Sequence, residues 1–454
     1  MKSHQCKIHK TLILFCILLV SISSCRKTNE VILSNIEQES INFRTGKPNI
    51  ILFMADDVGY EVPEFTGGKS YSTPTLNFMA ANGMQFSQCF SHPDGFPSRL
   101  AYLTGKYNFR NYISWGQLGK DELTVANMLK DNGYTNCYVG KWQNNGGDER
   151  IISAGFDKYQ VYLPFSGDQR VRRYKSPLLY QNGDFLPDSV TLNRYSEDMF
   201  FEYASNFIDS NKRNPFYIQY SFNLIAQPYV PSPDHPDYAN WNPDDDRTAQ
   251  DTGYVKSMVE YMDKMMGQVI QKVKDEGLLS NTLFLFIADN ATQELIYSRW
   301  KNQIIQGTKT QTTRPGTTTP LVAYWPGTVA PRSKNNELID YTDFFTTLAD
   351  VAGVSDLSAY GIQDGVSFYD DLTNTKGRDR DWVFCYWRNS LAKPEIRYIN
   401  NNEYKLYDKP NQDKNFFNTR SDIWELNPIP DASMTPKQRS IKNDLKAQLD
   451  LLQD

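Results

Sequence analysis

The stretch "NIILFMADD", residues 49–57, is a continuous apolar run that ends in two carboxylates. Such a run is typical of a strand buried on both faces inside a parallel sheet. In α/β sheets, binding sites form beyond the carboxyl ends of the strands. The stretch therefore predicts a central strand and, in Asp56 and Asp57, one side of a functional site.

Four other stretches resemble it, with helical patterns between them. Strands are predicted in "TNCYVG" (135–140), "PFYIQYSF" (215–222), "TLFLFIADN" (282–290) and "PLVAYWPG" (320–327). Helices are predicted over 124–132 and 254–276, and the methionine stripe of the second is predicted to lie in the core. This alternation predicts an α/β fold with a mostly parallel central sheet and helices on both sides.

The last part of the chain has a different pattern. A hairpin is predicted around residues 400–402 and a helix over 436–452. We expect a C-terminal subdomain with a small antiparallel sheet and a helix at 376–454, after a main domain at 47–375.

The first 46 residues read as a targeting segment. Lys2, Lys7 and Lys10 precede an apolar run at 12–20 that is too short for a stable membrane anchor. Small residues then lead to Cys25, which resembles a bacterial lipobox; the alternative is an ordinary signal peptide with a chance cysteine. We expect a signal peptide at 1–24, a lipidated Cys25, a polar tether at 25–46, and a location in the bacterial cell envelope, on the periplasmic or outer-membrane face.

Composition narrows the function classes. The formal net charge of −5 gives no reason to expect a nucleic-acid partner. Aromatic residues make up 13% of the chain, as in a tyrosine-rich core or in stacking platforms for sugars. After Cys25, only Cys89, Cys137 and Cys385 remain, so at most one disulfide can form.

Two predicted strand ends carry oxygen ligands. Asp56 and Asp57 follow one strand, and Asp289 and Asn290 follow another. Carboxylate and amide oxygens suit a hard divalent cation, Ca²⁺ or Mg²⁺. The sequence therefore predicts a metal site formed by these four residues.

Three basic residues lie in segments predicted to reach the same edge of the sheet. Arg99 follows "GFPS", Lys141 follows a predicted strand, and Lys309 precedes another. Cations that converge beside a metal would hold a sulfate or phosphate group.

Several motifs occur in the order found in type I sulfatases of the alkaline phosphatase superfamily, and the resemblance covers nearly all of the chain after residue 46. The segment "GFPSRLAYLTGKY" (95–107) resembles the signature motif of that family. The other matching segments are "GKW" (140–142), "YWPG" (324–327), "YTDFFTTLADVAG" (341–353) and "EYKLY" (403–407). The resemblance implies an alkaline-phosphatase-like sandwich. It also implies Ca²⁺ bound by the four oxygen-bearing residues, with Arg99, Lys141 and Lys309 contacting the sulfate and the nucleophile.

The chain departs from the family pattern at the positions that perform the chemistry. The family's nucleophile, a Cys or Ser oxidised to formylglycine, corresponds to Gly95, which has no Cβ to oxidise. Its two catalytic histidines correspond to Gln143 and Ala226, and its "EGGxR" loop reads "RPGTT" at 314–318. No formylglycine is therefore expected.

Three functions are compatible with these residues. The first is a protein that binds sulfated or other anionic glycans, with sulfuric ester hydrolysis lost or strongly impaired. The second is an active sulfuric or phosphoric ester hydrolase with a non-standard nucleophile, such as Asp94 or a metal-bound water; His92 lies nearby in the sequence. The third is a structural or partner-binding lipoprotein with a vestigial site. The retained metal residues favour the first.

Overall fold

The opening stretch forms the centre of a large sheet. The computed structural model describes residues 46–111, 117–165, 172–242, 251–375, 380–388, 394–409 and 414–452. The predictions for the targeting segment, including lipidation of Cys25, lie outside these residues. Within the described residues, we find no helix with the length and apolar character needed to cross a membrane.

The strands of the main sheet and its flanking hairpin are β1 Asn49–Ala55, β2 Met84–Phe90, β3 Thr135–Lys141, β4 Lys158–Tyr162, β5 Tyr180–Gln181, β6 Asp184–Phe185, β7 Phe216–Ser221, β8 Thr282–Ala288, β9 Tyr297–Trp300, β10 Gln303–Gln306, β11 Thr318–Tyr324, β12 Ser333–Asn335 and β13 Ile339–Asp340. The C-terminal strands are β14 Val383–Trp387, β15 Ile396–Asn400, β16 Tyr404–Tyr407 and β17 Phe416–Asn418.

The α-helices are α1 Pro74–Asn82, α2 Gly95–Thr104, α3 Asn108–Asn111, α4 Val125–Asp131, α5 Gly147–Ser153, α6 Asp188–Thr191, α7 Ser196–Asn211, α8 Val255–Asp275, α9 Arg314–Thr317, α10 Asp343–Val351, α11 Tyr369–Leu372 and α12 Pro436–Leu451.

The main sheet has the order β12-β2-β11-β8-β1-β7-β3-β4-β5-β6, with β13 also paired to β2. Strands β8, β1, β7, β3 and β4 run parallel. Strand β11 runs antiparallel to β8 and to β2. The predicted mostly parallel sheet is confirmed; the apolar run of β11 shows that it is buried but carries no information about its direction.

Helices cover both faces of this sheet, as predicted. On one face, Met258, Met262 and Met266 of α8 are buried against strand residues that include Phe53. The methionine stripe is therefore core. On the other face, α2, α4 and α10 pack on the alternate side chains of the same strands. The side chain of Thr124 accepts hydrogen bonds at the start of α4, which explains why that helix begins where the sequence predicts.

The C-terminal part forms the predicted antiparallel sheet, in the order β14-β15-β16-β17. Strands β15 and β16 form the hairpin expected around residues 400–402. Leu445 and Leu449 of α12 pack in the small core beneath this sheet. The boundary at 375/376 stays a prediction.

Candidate functional site

The acidic residues lie side by side at the carboxyl edge of the parallel strands. Strands β1 and β8 are in register, with Ala55 opposite Ala288, so the polar residues that follow them become neighbours. One carboxylate oxygen from each of Asp56, Asp57 and Asp289 lies within 4.8 Å of the others, and all three residues are buried. Asp57 has a φ of 65°, a left-handed conformation that Asp tolerates better than most residues and that is often found at functional sites.

Arg99 reaches this group from the first turns of α2. Its Nε and Nη2 donate to Oδ2 of Asp289 at 3.1 and 2.9 Å. Its Nη1 donates to Oγ of Ser221 and to the carbonyl oxygen of Lys141. Burial opposes its charge, but Asp289, Tyr138 and Asp56 together raise the pKa of Arg99, so the guanidinium stays charged.

Lys141 enters from the end of β3. The preceding Gly140 has a φ of +97°, and a Cβ there would lie 1.7 Å from the carbonyl oxygen of Ser221, so only glycine fits between the two strands. Lys141 Nζ donates to both carboxylate oxygens of Asp56, at 2.8 and 2.7 Å. Burial lowers the pKa of Lys141, and the charge of Asp56 acts against that shift.

Lys309 is the third of the basic residues that the sequence predicted to lie at the site. Its Nζ lies 2.5 Å from Oδ1 of Asp57, and Asn290 Nδ2 donates to the same oxygen at 2.7 Å. Burial opposes the charge of Lys309, but Asp57 and its neighbours raise its pKa. The structure therefore brings together all seven side chains that the sequence singled out as metal ligands or anion contacts.

Two residues that the sequence did not predict also lie at the site. Gln293 Nε2 donates to Oδ2 of Asp57 at 3.0 Å. Arg173 is buried, with Nη1 2.9 Å from the carbonyl oxygen of Gln227 and 3.8 Å from Oδ2 of Asp56. Proximity to Asn290 could have suggested Gln293, whereas the segment around Arg173 carries no motif.

Gly95, the position that the resemblance assigns to the nucleophile, faces the acidic group directly. A Cβ built on Gly95 would lie 2.2 Å from Oδ2 of Asp289 and 3.0 Å from Oδ1 of Asn290. Asp94 caps α2, where its carboxylate accepts a hydrogen bond from the backbone NH of Phe96. Burial raises the pKa of Asp94, and Lys309 acts against that shift.

The positions of the two family histidines offer no replacement acid or base. Ala226 is buried, next to the Gln227 carbonyl that holds Arg173. Gln143 has a φ of 60°, and its Oε1 is buried without a hydrogen-bond partner among the described residues. Burial lowers the pKa of the nearby His92 to about 3, so its imidazole is neutral at physiological pH.

The acidic group suits a divalent cation. Oδ1 of Asn290 is buried and has no hydrogen-bond partner within the described part of the chain, which leaves an oxygen donor free beside three carboxylates. An all-oxygen donor set of this kind fits Ca²⁺ or Mg²⁺. Asp56, Asp57, Asp289 and Asn290 are the residues that would hold the ion.

Comparisons with known proteins identify the family of the chain. The model of the sulfatase family matches residues 48–354, and that of the N-sulphoglucosamine sulphohydrolase C-terminal family matches residues 309–454. An arylsulfatase of Hemicentrotus pulcherrimus is 26% identical over 77% of this chain, and arylsulfatase G of Mus musculus is 28% identical over 69%. The matched regions span 66% of the length of each of these relatives.

Solved structures share the fold. The crystal structure of Ps i-CgsB superposes with a TM-score of 0.75 at 22% identity, covering 89% of this chain and 92% of the other. A structure solved with its substrate D-glucosamine-2-N,6-O-disulfate gives a TM-score of 0.72 at 19% identity, covering 89% and 98%. Since the family model covers more than half of its length, the chain belongs to the sulfatase family.

Proposed function

We propose that this protein binds sulfated glycans through a divalent cation, Ca²⁺ or Mg²⁺, and that its hydrolysis of sulfuric esters is lost or strongly impaired. The binding site is the charged cluster, which consists of Asp56, Asp57, Asp289 and Asn290 and the basic residues Arg99, Lys141, Arg173 and Lys309. The observation that carries the proposal is the contrast at one point of the site. The residues proposed to hold the metal and the anion lie together, whereas residue 95, which faces them, has no side chain.

The charges of the cluster support anion binding. Four cations, Arg99, Lys141, Lys309 and Arg173, lie around the three carboxylates. A bound divalent cation would add two further positive charges and act as a Lewis acid toward a sulfate oxygen. A buried excess of positive charge favours an anion, because ion interactions are strong away from water.

The alternative of an active hydrolase needs another nucleophile. The carboxylate of Asp94 accepts a hydrogen bond from the backbone NH of Phe96 at the start of α2, and this capping contact opposes its use as a nucleophile. The neutral His92, Gln143 and Ala226 offer no general acid at neutral pH. These observations favour binding without efficient turnover.

The test is calorimetric titration of the protein with Ca²⁺ and then with galactose 6-sulfate, with and without the ion. We expect Ca²⁺ to bind and the sugar to bind only in its presence. Asp289→Ala should abolish both, whereas the exposed Asp350→Ala should change neither.

A parallel assay with an aryl sulfate separates the alternatives. Release of sulfate above background, abolished by Asp56→Ala, would establish an active hydrolase and overturn the proposal. Absence of both Ca²⁺ and sugar binding would instead indicate a vestigial site.

We further propose that Cys25 is lipidated and holds the protein in the bacterial cell envelope. The lipobox-like residues before Cys25 support this. Metabolic labelling with a radioactive fatty acid should label the wild-type protein and not Cys25→Ala; label on both proteins would contradict it.

A further inference from the structure

A cavity of about 140 Å³ lies near the charged cluster, and its lining includes Tyr60, Glu61, Trp300, Ile305 and Arg314. Backbone and side-chain contacts connect it to the site. The hydroxyl of Thr292, two residues beyond Asn290, accepts from the NH of Gly59 at 2.9 Å and donates to Oε1 of Glu61 at 2.5 Å.

The guanidinium of Arg314 in this cavity is only partly satisfied by the residues around it. Its Nη2 donates to the neutral amide oxygen of Gln88 at 2.9 Å, and the group lies 5.4 Å from the centre of the Phe90 ring. Its Nη1 is buried and has no hydrogen-bond partner among the described residues. No carboxylate in the described part of the chain forms an ion pair with this guanidinium.

The nearest acidic group is already engaged elsewhere. Glu425 accepts hydrogen bonds from Lys405 at 3.0 Å, from the hydroxyl of Tyr407 at 2.5 Å and from the backbone NH of Arg314 at 2.8 Å. Lys405 is therefore the ion-pair partner of Glu425. Burial lowers the pKa of Arg314, and the charge of Glu425 acts against that shift. A partly buried guanidinium with an unsatisfied donor is costly, and an anionic ligand that pairs with it would offset that cost.

The rest of the cavity suits a sugar ring. The indole NH of Trp300 donates a hydrogen bond to the carbonyl oxygen of Thr66 at 2.9 Å. The rings of Tyr60 and Trp300 are in edge-to-face contact. Ile305, Pro315 and Ile423 add apolar surface. The volume is on the scale of a cavity of about 150 Å³ that holds one six-membered ring.

The acidic residue of the lining, Glu61, is engaged by Thr292, whose hydroxyl donates to its Oε1. Burial raises the pKa of Glu61, and this hydrogen bond acts against that shift.

We propose that this cavity is a subsite for a second anionic substituent, a sulfate or a carboxylate, on the glycan whose first sulfate lies at the charged cluster, with Arg314 as the residue that binds it. The inference rests on the function proposed above and narrows it to glycans with two anionic groups. The loop that supplies Arg314 is one of the places where the sequence departs from the family pattern.

The test is calorimetry in the presence of Ca²⁺ with three probes: inorganic sulfate, glucosamine 6-sulfate and glucosamine 2-N,6-O-disulfate. In the wild-type protein, the disulfated sugar should bind most tightly. Arg314→Gln should weaken its binding by about 10- to 100-fold, the value of a hydrogen bond to a charged group, and leave inorganic sulfate unchanged. The control Arg213→Gln removes the same charge from an exposed residue after α7 and should leave all three affinities unchanged.

Three outcomes would overturn the subsite. If sulfate binds but the disulfated sugar gains nothing over the monosulfated one, the subsite is wrong and the proposed function stands. If Arg314→Gln also abolishes binding of inorganic sulfate, Arg314 belongs to the charged cluster. If no probe binds, the proposed function fails and the subsite fails with it.

The stability of the variant without ligand gives a second readout. Because the guanidinium is unpaired, Arg314→Gln should leave the melting temperature unchanged or raise it. A marked fall would show that Arg314 holds the fold and would contradict a binding role. Arg314→Lys, which keeps the charge and loses the planar donor pair, should bind the disulfated sugar with intermediate affinity.

Discussion

Two groups of buried charges in this protein differ in how completely they are satisfied. The first is the Asp343–Arg380 pair, which joins the start of α10 to the segment before β14. Asp343 accepts from the backbone NH groups of Asp340 and Val366 at 2.8 and 2.7 Å and from Arg380. Arg380 also donates to the hydroxyl of Tyr107 and to the carbonyl oxygens of Trp382 and Asp364.

The second group is the charged cluster of the candidate site, where groups remain unsatisfied. Oδ1 of Asn290 and Nε of Arg173 are buried without hydrogen-bond partners among the described residues, and four cations face three carboxylates. A buried pair whose donors and acceptors are all used stabilises one structure. A cluster with free donors, free acceptors and excess charge retains interactions for a ligand.

The largest expected effect is on the satisfied pair. Arg380→Gln leaves Asp343 buried without its cation and should lower the free energy of unfolding by about 3–5 kcal/mol. Urea denaturation measures this loss. Arg110→Gln, which removes a partly exposed partner of Asp364, should cost less than about 1 kcal/mol. Equal losses in the two variants would contradict the structural role of the pair.

Much of this contrast follows from the sequence, because strand ends fix where side chains point. The apolar runs before Asp56 and Asp289 placed both carboxylates at one edge, and Lys141 followed from the strand before it. Arg173 could not be predicted, since it reaches the site from a segment without strand or helix pattern. The sequence could not predict that Arg314 forms no ion pair within the described residues either, because this depends on the contact between Glu425 and Lys405.

A buried carboxylate without a cation should make stability depend on pH. Glu197 accepts from the backbone NH of Asn223 at 2.9 Å, forms no ion pair with the described residues, and burial raises its pKa to about 8. Since the folded pKa is above the unfolded one, stability is complete below about pH 4.5 and falls as the pH rises toward 8. The fall should amount to about 3–5 kcal/mol.

Glu197→Gln keeps the shape of the side chain and should flatten this dependence, as measured by urea denaturation at several pH values. Glu202→Gln changes an exposed residue of the same helix and should leave the profile unchanged. An undiminished fall in the Glu197→Gln protein would show that another group titrates.

In the candidate cluster, the main loss should be in binding. Asp57→Asn replaces a proposed carboxylate ligand by a neutral amide oxygen and should weaken Ca²⁺ binding by about 100-fold, or about 2.7 kcal/mol, because even residues that only orient metal ligands contribute 10- to 100-fold. Calorimetry measures the affinity, and Asp350→Asn is the exposed control. Unchanged Ca²⁺ affinity would remove Asp57 from the metal site.

The last prediction compares the stability of two glycine variants. Gly365 lies beside the Asp343–Arg380 pair, and Gly95 lies beside the charged cluster. A Cβ on Gly365 would lie 2.2 Å from the carbonyl oxygen of Thr342, whereas a Cβ on Gly95 would lie 2.2 Å from the carboxylate of Asp289. Backbone next to the satisfied pair cannot move, but a side chain in the unsatisfied cluster can. Gly95→Ala should therefore cost about 1–3 kcal/mol, and Gly365→Ala should cost more.

In Ca²⁺ binding the order is reversed, and Gly95→Ala should have the larger effect of the two variants. Gly95→Ala forces Asp289 to shift and should weaken the binding of the ion, whereas Gly365→Ala leaves the carboxylates in place. Thermal unfolding and calorimetry on the same samples separate the two effects. If Gly95→Ala binds Ca²⁺ as tightly as the wild-type protein, the space in front of residue 95 is not part of the metal site. The absence of a side chain there would then be unrelated to the metal.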